Sequence, residues 1–526
     1  MRRFLTFPGA FLLMLPAGVT LWFLIVHPGR VPAGEEAEKA GFRLEVREKL
    51  LDKSTEGRFI VILSQRKNPE PRFQVGNVLG DDVFFIGKDG VVTSDGGKIH
   101  LDRQEVGYPT KKVGDLPRGK YLVQAVFDHN PDLRLLNAPE NLFSKPVEIQ
   151  WPPTDPGPVL LKITEKMPVE KLPPDRELVR YLKIPSRRLS EFHGRPMFLR
   201  AGLILPRDFE KEKDRKYPLW VRIGGFGSRF TSVGGMMQDG SGFQRAWNAD
   251  DAPKMLLLFP DGAGPLGDPY QVNSANHGPF GDAITQELIP HVEKNYRGIG
   301  TGKARVLDGH STGGWVSLAL QVFYPDFFQG TWSHAPDPVD FRAFELINIY
   351  KHRNVFLGED GKPRPACRDV MNKVLYTMSE EVAVERVLGR GNSFTTSGKD
   401  WGSWNATFSP RKANGLPASL WNEESGDIDP KVVEHWKKYD LHEVVRSNWP
   451  KLAPSLANKI RIWVGDRDDF YLNGAVELFD QSSRDLRPQL NATIRYGKGK
   501  GHGWRGLSEK QLMRDMDHAL RQAKAN

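Results

Sequence analysis

The sequence predicts an α/β chain, with a mainly parallel sheet preceded by a small β-sandwich domain. Three observations carry the prediction. From Leu189 onward, apolar runs alternate with amphipathic stretches, the rhythm of strands and helices in a parallel sheet. Between Phe42 and Ile163 the pattern is instead short strands separated by turn residues. Finally, Val306-Leu307 leads through Gly309-His310-Ser311-Thr312-Gly313 into Val316, Leu318, Ala319, Leu320, Val322 and Phe323. That is strand, sharp turn and helix, with a serine at the apex.

Length and charge set bounds. With 526 residues the chain is long enough for more than one domain and a sizeable core. Its 74 basic and 65 acidic residues are interleaved, so the net charge of +9 describes a mixed, solvated surface. There is no basic stripe and no recognition motif, which argues against a nucleic-acid partner. Cys367 is the only cysteine, so no intrachain disulfide can form.

The first residues predict export. Arg2-Arg3 precedes an apolar stretch from Phe4 to Val26, broken by Pro8 and Pro16. Residues 1–33 therefore read as a signal peptide or a membrane anchor. Val31-Pro32-Ala33 offers small residues for cleavage, yet the apolar stretch is long enough to span a bilayer. Both readings put the rest of the chain outside the cytoplasm, periplasmic or extracellular, and the second leaves it attached to a membrane.

A polar linker leads to the first folded unit, residues 42–165. Phe42-Arg43-Leu44-Glu45-Val46 alternates, and Phe59-Ile60-Val61-Ile62-Leu63 reads as a buried strand. Val83-Phe84-Phe85-Ile86 is another strand, and Lys88-Asp89-Gly90 after it reads as a hairpin turn. Tyr121 to Phe127 and Lys145 to Ile149 complete the set. Structural support is the favoured role, with ligand binding as the rival. Pro152, Pro153, Pro156 and Pro158 mark the exit, and the proline-bearing stretch from Pro168 to Pro185 reads as a linker.

The second unit spans residues 190–525. Its expected strands are Ala201–Pro206, Tyr217–Ile223, Lys254–Gly262, the run before Ser311, Gly330–Ala335, Lys459–Val464 and Asn491–Tyr496. Thr285–Tyr296 has helical spacing, and Ser508 caps a closing amphipathic helix. At about 341–456 the rhythm breaks down into an insertion holding Trp401, Trp404, Trp421, Trp436 and Trp449. Two readings stand side by side: a cap whose tryptophans line an acyl or sugar site, and a subdomain that uses them as core filler.

The chemistry follows from the serine. A hydroxyl is a weak nucleophile and needs a base, which itself needs an acid to orient it. The pattern G-x-S-x-G places Ser311 on a strained turn, and the order Ser, acid, His then follows along the chain. His502 lies in the glycine-rich loop Gly497–Gly503 after the last strand and is the expected base. Asp466, Asp468 and Asp469 follow the strand ending at Val464. A short turn must precede the acid, which favours Asp468. Donors for the oxyanion should be the backbone N–H of Thr312 and one from the glycine loop Gly224–Gly227, assigned to Phe226 with Gly225 as its neighbour. His310 reads as a packing or hydrogen-bonding residue, and His277 as a solvated loop histidine. No metal motif is present: His442-Glu443-Val444-Val445-Arg446 lacks the second histidine of a zinc helix. No cofactor is implied.

On these residues the chain resembles the putative esterase group of the α/β-hydrolase superfamily, which includes esterase D, feruloyl esterases, enterochelin esterases and mycolyltransferases. The resemblance covers about residues 190–525. It rests on Gly224–Gly227, on Pro279-Phe280-Gly281-Asp282 leading into Glu287-Leu288-Ile289-Pro290, on Gly309–Gly313, on Gly465–Asp468, and on His502-Gly503-Trp504. It implies an α/β-hydrolase fold in which Ser311, Asp468 and His502 match the group's triad. The long tryptophan-rich insertion and the N-terminal β-unit depart from the group's pattern, so the substrate does not carry over. The sequence thus predicts an exported serine esterase acting on a small-molecule or carbohydrate ester. The rivals are an acyltransferase to a sugar or lipid hydroxyl, and a non-catalytic binding protein on the same scaffold.

Overall fold

The computed structural model describes residues 41–76, 83–102, 104–154 and 157–525. The expected signal or anchor at 1–33, and Pro156, lie outside the described residues. Among the described residues, no helix is long and apolar enough to cross a membrane.

Alternation builds the N-terminal unit. In Phe42–Val46, the residues Phe42, Leu44 and Val46 point inward, as do Phe59, Val61 and Leu63 of Thr55–Ser64. Among the described residues, nine strands join by hydrogen bonds into one sheet. The sheet bends over on itself. Phe42 on one strand stacks on Trp151 of Val147–Trp151 at 5.4 Å, and Ile99 lies against Gly90 and Phe59 on strands it does not pair with. The opposite face of Thr55–Ser64 is buried as well. Ile60 and Ile62 pack with Phe85 and Val126 against Val384, Val387 and Leu388 of the second unit. Burial on both faces is why residues 59–63 show no polar alternation.

Two expectations change here. Lys88-Asp89-Gly90 does not turn; the strand runs unbroken from Val83 to Val92, and the turn is Thr93–Gly96. Gly90 serves close packing instead, since a Cβ there would meet Ile99 at 2.8 Å and Phe59 at 2.9 Å. The proline-bearing stretch is only partly linker. Val179–Ser186 forms an edge strand, antiparallel to Met197–Ile204, and Pro185 is tolerated because an edge needs fewer N–H donors.

The second unit is built on an eight-stranded sheet among the described residues. Its spatial order is Val179–Ser186, Met197–Ile204, Leu256–Pro260, Leu219–Ile223, Arg305–His310, Gly330–His334, Ile460–Gly465 and Thr493–Gly497. The first two pairings are antiparallel and the other five parallel. The helix Thr312–Phe323 packs one face, over Leu219, Leu258 and Leu307. The helix Glu509–Ala525 covers the other, over Trp220, Val306 and Trp332. Strands covered on both sides read as unbroken apolar runs.

Chain order fixes where a ligand can enter. After Leu219–Ile223 the chain steps outward to Leu256–Pro260, then returns past it to Arg305–His310. The strand order therefore reverses between Leu219–Ile223 and Arg305–His310. Loops leaving the carboxyl ends of two such strands diverge and open a crevice. Those loops are Gly224–Gly227 and the turn at Ser311.

The insertion is not a detached subdomain. It contains the hairpin Pro365–Arg368 and Val374–Thr377, with helices Met378–Leu388, Asp400–Phe408, Pro430–Trp436 and Leu441–Leu456. Phe341, Phe344, Trp401, Trp421 and Trp436 share one core with Trp315 and Leu320 of the sheet-covering helix. Trp401 meets Trp404 and Trp421 edge-on at 4.8 Å each. Trp401, Trp421, Trp436 and Trp449 are core residues, and Trp404 alone of the five also faces the crevice.

Candidate active site

The turn at Ser311 is tight because glycines allow it. A Cβ on Gly309 would lie 2.0 Å from the Gly313 carbonyl oxygen, and one on Gly313 would lie 2.2 Å from that of Ile223. No larger residue fits either position. Ser311 itself has φ 61° and ψ −128°, a sparsely populated conformation for a residue with a side chain. Its N–H donates to the His334 carbonyl at 2.9 Å, and its carbonyl accepts from Trp315 and Asp337. The backbone is held from both sides, so the strain persists.

Strand ends bring the other groups to it. Asp468 follows Ile460–Gly465 and His502 follows Thr493–Gly497. Asp468 Oδ2 lies 2.8 Å from His502 Nδ1. Asp468 is fully buried, and its Oδ1 accepts the N–H groups of Phe470 and Leu472. Asp469 Oδ1 instead accepts the backbone N–H of His502, and Asp466 Oδ1 that of Gly499. Those two carboxylates shape the histidine loop. His310 Nε2 donates to the His502 carbonyl at 2.8 Å. Burial pushes the His310 pKa down to about 4, so it is a neutral support for that loop.

Ser311 and His502 line one cavity of about 640 Å³, together with Gly225, Phe226, Asp337 and Trp404. A Cβ on Gly225 would sit 3.6 Å from the Ser311 Cβ, which brings the glycine loop against the serine. Thr312 is the first residue of its helix, where N–H groups lack intrahelical partners. Burial lowers the pKa of His502, but the carboxylates, Asp468 first, more than reverse this, and it stands above the ordinary 6.5. A larger cavity, about 1280 Å³, lies elsewhere, between Arg342, His352, Lys437 and Arg446, and contains none of these residues.

Asp337 has no motif around it that marks it in the sequence. It is buried, and its Oδ2 accepts from Tyr270 at 2.6 Å, Thr312 Oγ1 at 3.0 Å and Trp404 at 3.2 Å. It thereby fixes the residue that follows the serine. Arg368 of the insertion donates to the Asp468 carbonyl at 2.9 Å. His277 is a correction. It is wholly buried, not solvated, and neither ring nitrogen has a partner. Burial lowers its pKa to about 3.

The Putative esterase family matches this chain over residues 199–506, more than half of its length. The chain belongs to that family. Membership of this esterase family supports ester hydrolysis as its chemistry. Among solved structures it is similar to a ferulic acid esterase, at 15% identity and a TM-score of 0.36, over 66% of this chain and 96% of that one. It is also similar to an S-formylglutathione hydrolase from Agrobacterium tumefaciens, at 12% identity and a TM-score of 0.36, over 66% of this chain and 95% of that one. A third is a fluorophosphonate-binding serine hydrolase of Staphylococcus aureus, at 13% identity and a TM-score of 0.36, over 66% and 97%. No curated protein matches.

Proposed function

We propose that this esterase-family protein is a serine hydrolase cleaving a carboxylic ester through Ser311, His502 and Asp468. The observation that carries the reading is the 2.8 Å contact of Asp468 with His502 Nδ1, beside a strained Ser311 on the same cavity. Asp468 accepts from Nδ1–H and so leaves Nε2 free of its proton to act as base. Ser311 Oγ attacks the ester carbonyl as His502 Nε2 takes the hydroxyl proton. The N–H groups of Thr312 and Phe226 (with Gly225 beside it) receive the oxyanion. His502 then passes its proton to the leaving alcohol, and an acyl group remains on Ser311. Water, activated by the same imidazole, releases the acid.

Residues 1–33 act as an export signal or membrane anchor, 42–165 as a β-sandwich-like support, and 190–525 as the hydrolase domain with its mainly parallel sheet. The test is labelling with a fluorophosphonate probe, comparing wild type with Ser311→Ala, followed by a panel of p-nitrophenyl and sugar esters. Labelling confined to the wild type is expected. A folded wild type that takes no label would remove the mechanism. Product analysis with added alcohols separates hydrolysis from acyl transfer.

A further inference from the structure

Part of the wall of the cavity that holds Ser311 is acidic. Glu345, Glu381 and Asp400 all line it. They come from different parts of the insertion: the turn Phe344–Ile347, the helix Met378–Leu388, and the first position of the helix Asp400–Phe408. Glu345 is 3% exposed and Glu381 is 9% exposed, and each has an Oε2 with no hydrogen-bond partner. The Trp401 indole N–H comes near Glu381 without closing a hydrogen bond. Glu385 shows what a structural acid looks like in the same region. Its carboxylate takes up Ser397 Oγ at 2.6 Å and the N–H groups of Trp401 and Gly402 at 2.8 Å, capping a helix. Glu345 and Glu381 do no such work.

Protein cations do not answer them. Lys399 and Arg505 border the cavity, and Lys399 acts on the charge of Asp400, but neither answers Glu345 or Glu381. Lys399 reaches toward Gly76, and Arg505 lies near Arg222 and Glu509. Backbone strain adds to the case. Glu345 has φ 52° at the first central position of the turn Phe344–Ile347, where glycine is usual. An unpaired acid held in a strained turn is retained at a cost, which is the mark of a functional position.

We propose that this wall binds a primary ammonium group on the ester substrate, with Glu345 and Glu381 accepting its N–H donors and Asp400 adding charge. The inference rests on reading the cavity as the ester site. An ammonium brings three donors and one positive charge into a site of unpaired acceptors. A metal ion fits less well. It requires donor atoms gathered on one point, and among the described residues only Asp340, Asp440 and His442 come within 4.8 Å of one another. That triple lies outside this cavity, and Arg342 already grips Asp340 with two nitrogens.

Calorimetric titration of the full chain with hexylammonium and with hexan-1-ol reads binding without turnover. Hexylammonium is expected to bind at least about tenfold more tightly, the worth of one charge-assisted hydrogen bond. The preference should fall in Glu345→Gln and in Glu381→Gln singly, and vanish in the double variant. Equal binding of the two ligands to wild type overturns the proposal, as does tighter binding of a neutral polyol such as sorbitol. Fluorophosphonate labelling of the same samples reports on Ser311 separately. A protein that labels but shows no ammonium preference loses this inference alone, whereas one that prefers ammonium but does not label loses the hydrolase reading.

Discussion

Arg222 holds Asp308 with Nε at 3.1 Å and Nη2 at 3.0 Å, while the same guanidinium reaches Glu509 at 2.8 Å. Arg222 lies in the strand that precedes the glycine loop, Asp308 in the strand that precedes Ser311, and Glu509 opens the helix that follows the histidine loop. Trp220 adds its indole N–H to Asp308 at 2.5 Å. Arg222, paired with both carboxylates, thus ties together the chain segments that flank the glycine loop, the turn at Ser311 and the loop of His502. Arg222→Ala should leave Asp308 buried and unpaired, at a cost of about 3–5 kcal/mol. Urea denaturation should show the lost midpoint, and a midpoint within error of wild type would refute the linkage.

Asp468→Asn should leave the fold intact and nearly abolish turnover. The amide holds His502 in the wrong tautomer, for a loss of about 10³–10⁴ in kcat. Because Asp469 and Asp466 bind backbone N–H groups of the loop, their Asn variants should lose far less. Parallel kinetics on one p-nitrophenyl ester distinguishes the three. Equal losses at all three positions would mean that loop shape, not tautomer control, sets the rate.

Activity should rise with pH. The proposed mechanism requires a neutral His502, and its pKa lies above 6.5 because its carboxylate neighbours outweigh burial. The profile of kcat/KM should climb with unit slope through that raised pKa and then level off. Asp468→Asn should move the residual inflection downward. A flat profile from pH 5 to 9 would point to a different rate-limiting base.

Stability should show the opposite slope from the acidic wall. Burial raises the pKa of Glu345 and Glu381 well above 4.5, so the folded state binds protons that the unfolded state releases. Stability then falls as pH rises from about 4.5 through the folded pKa values. The double Gln variant, unable to ionise, should lose much of that slope. Thermal melts from pH 4.5 to 8 read the difference, and parallel curves for the two proteins would count against buried, unpaired acids.

Gly313→Ala should damage fold and site together. Its Cβ would strike the carbonyl oxygens of Ile223 at 2.2 Å and Gly224 at 2.5 Å, both backbone atoms that cannot swing away. A loss of about 3 kcal/mol or more is expected, with fluorophosphonate labelling reduced even in protein that still folds. Wild-type stability in this variant would mean that the start of the helix Thr312–Phe323 can move off the end of the strand Leu219–Ile223 cheaply.

Arg58→Ala tests the role of the N-terminal sheet. Buried Arg58 donates to the Val387 carbonyl and to Asn392, both at 2.6 Å, and so braces the helix that carries Glu381. Losing these bonds should cost about 2–4 kcal/mol and weaken ammonium binding without touching the cavity itself. Scanning calorimetry on the variant checks the stability cost and titration calorimetry the binding, and unchanged binding would leave the sheet as a separate support.

Local features are legible in the order of residues alone. Two-residue alternation marked Phe42–Val46 as a half-buried strand, and the glycines around Ser311 marked the elbow, because a clash between near neighbours is written in adjacent letters. The chain order of Ser311, Asp468 and His502 was legible for the same reason, since each follows a recognisable strand. Features that depend on distant partners emerge once the chain is folded. Lys88-Asp89-Gly90 reads as a turn until Phe59 and Ile99 are seen packed against the glycine, and His277 reads as solvated until the fold buries it. Asp337, Arg222, Glu345 and Glu381 have no motif around them. Their roles come from burial and from which donors or charges stand within a few ångströms, and desolvation acts on a group only once the chain has closed over it.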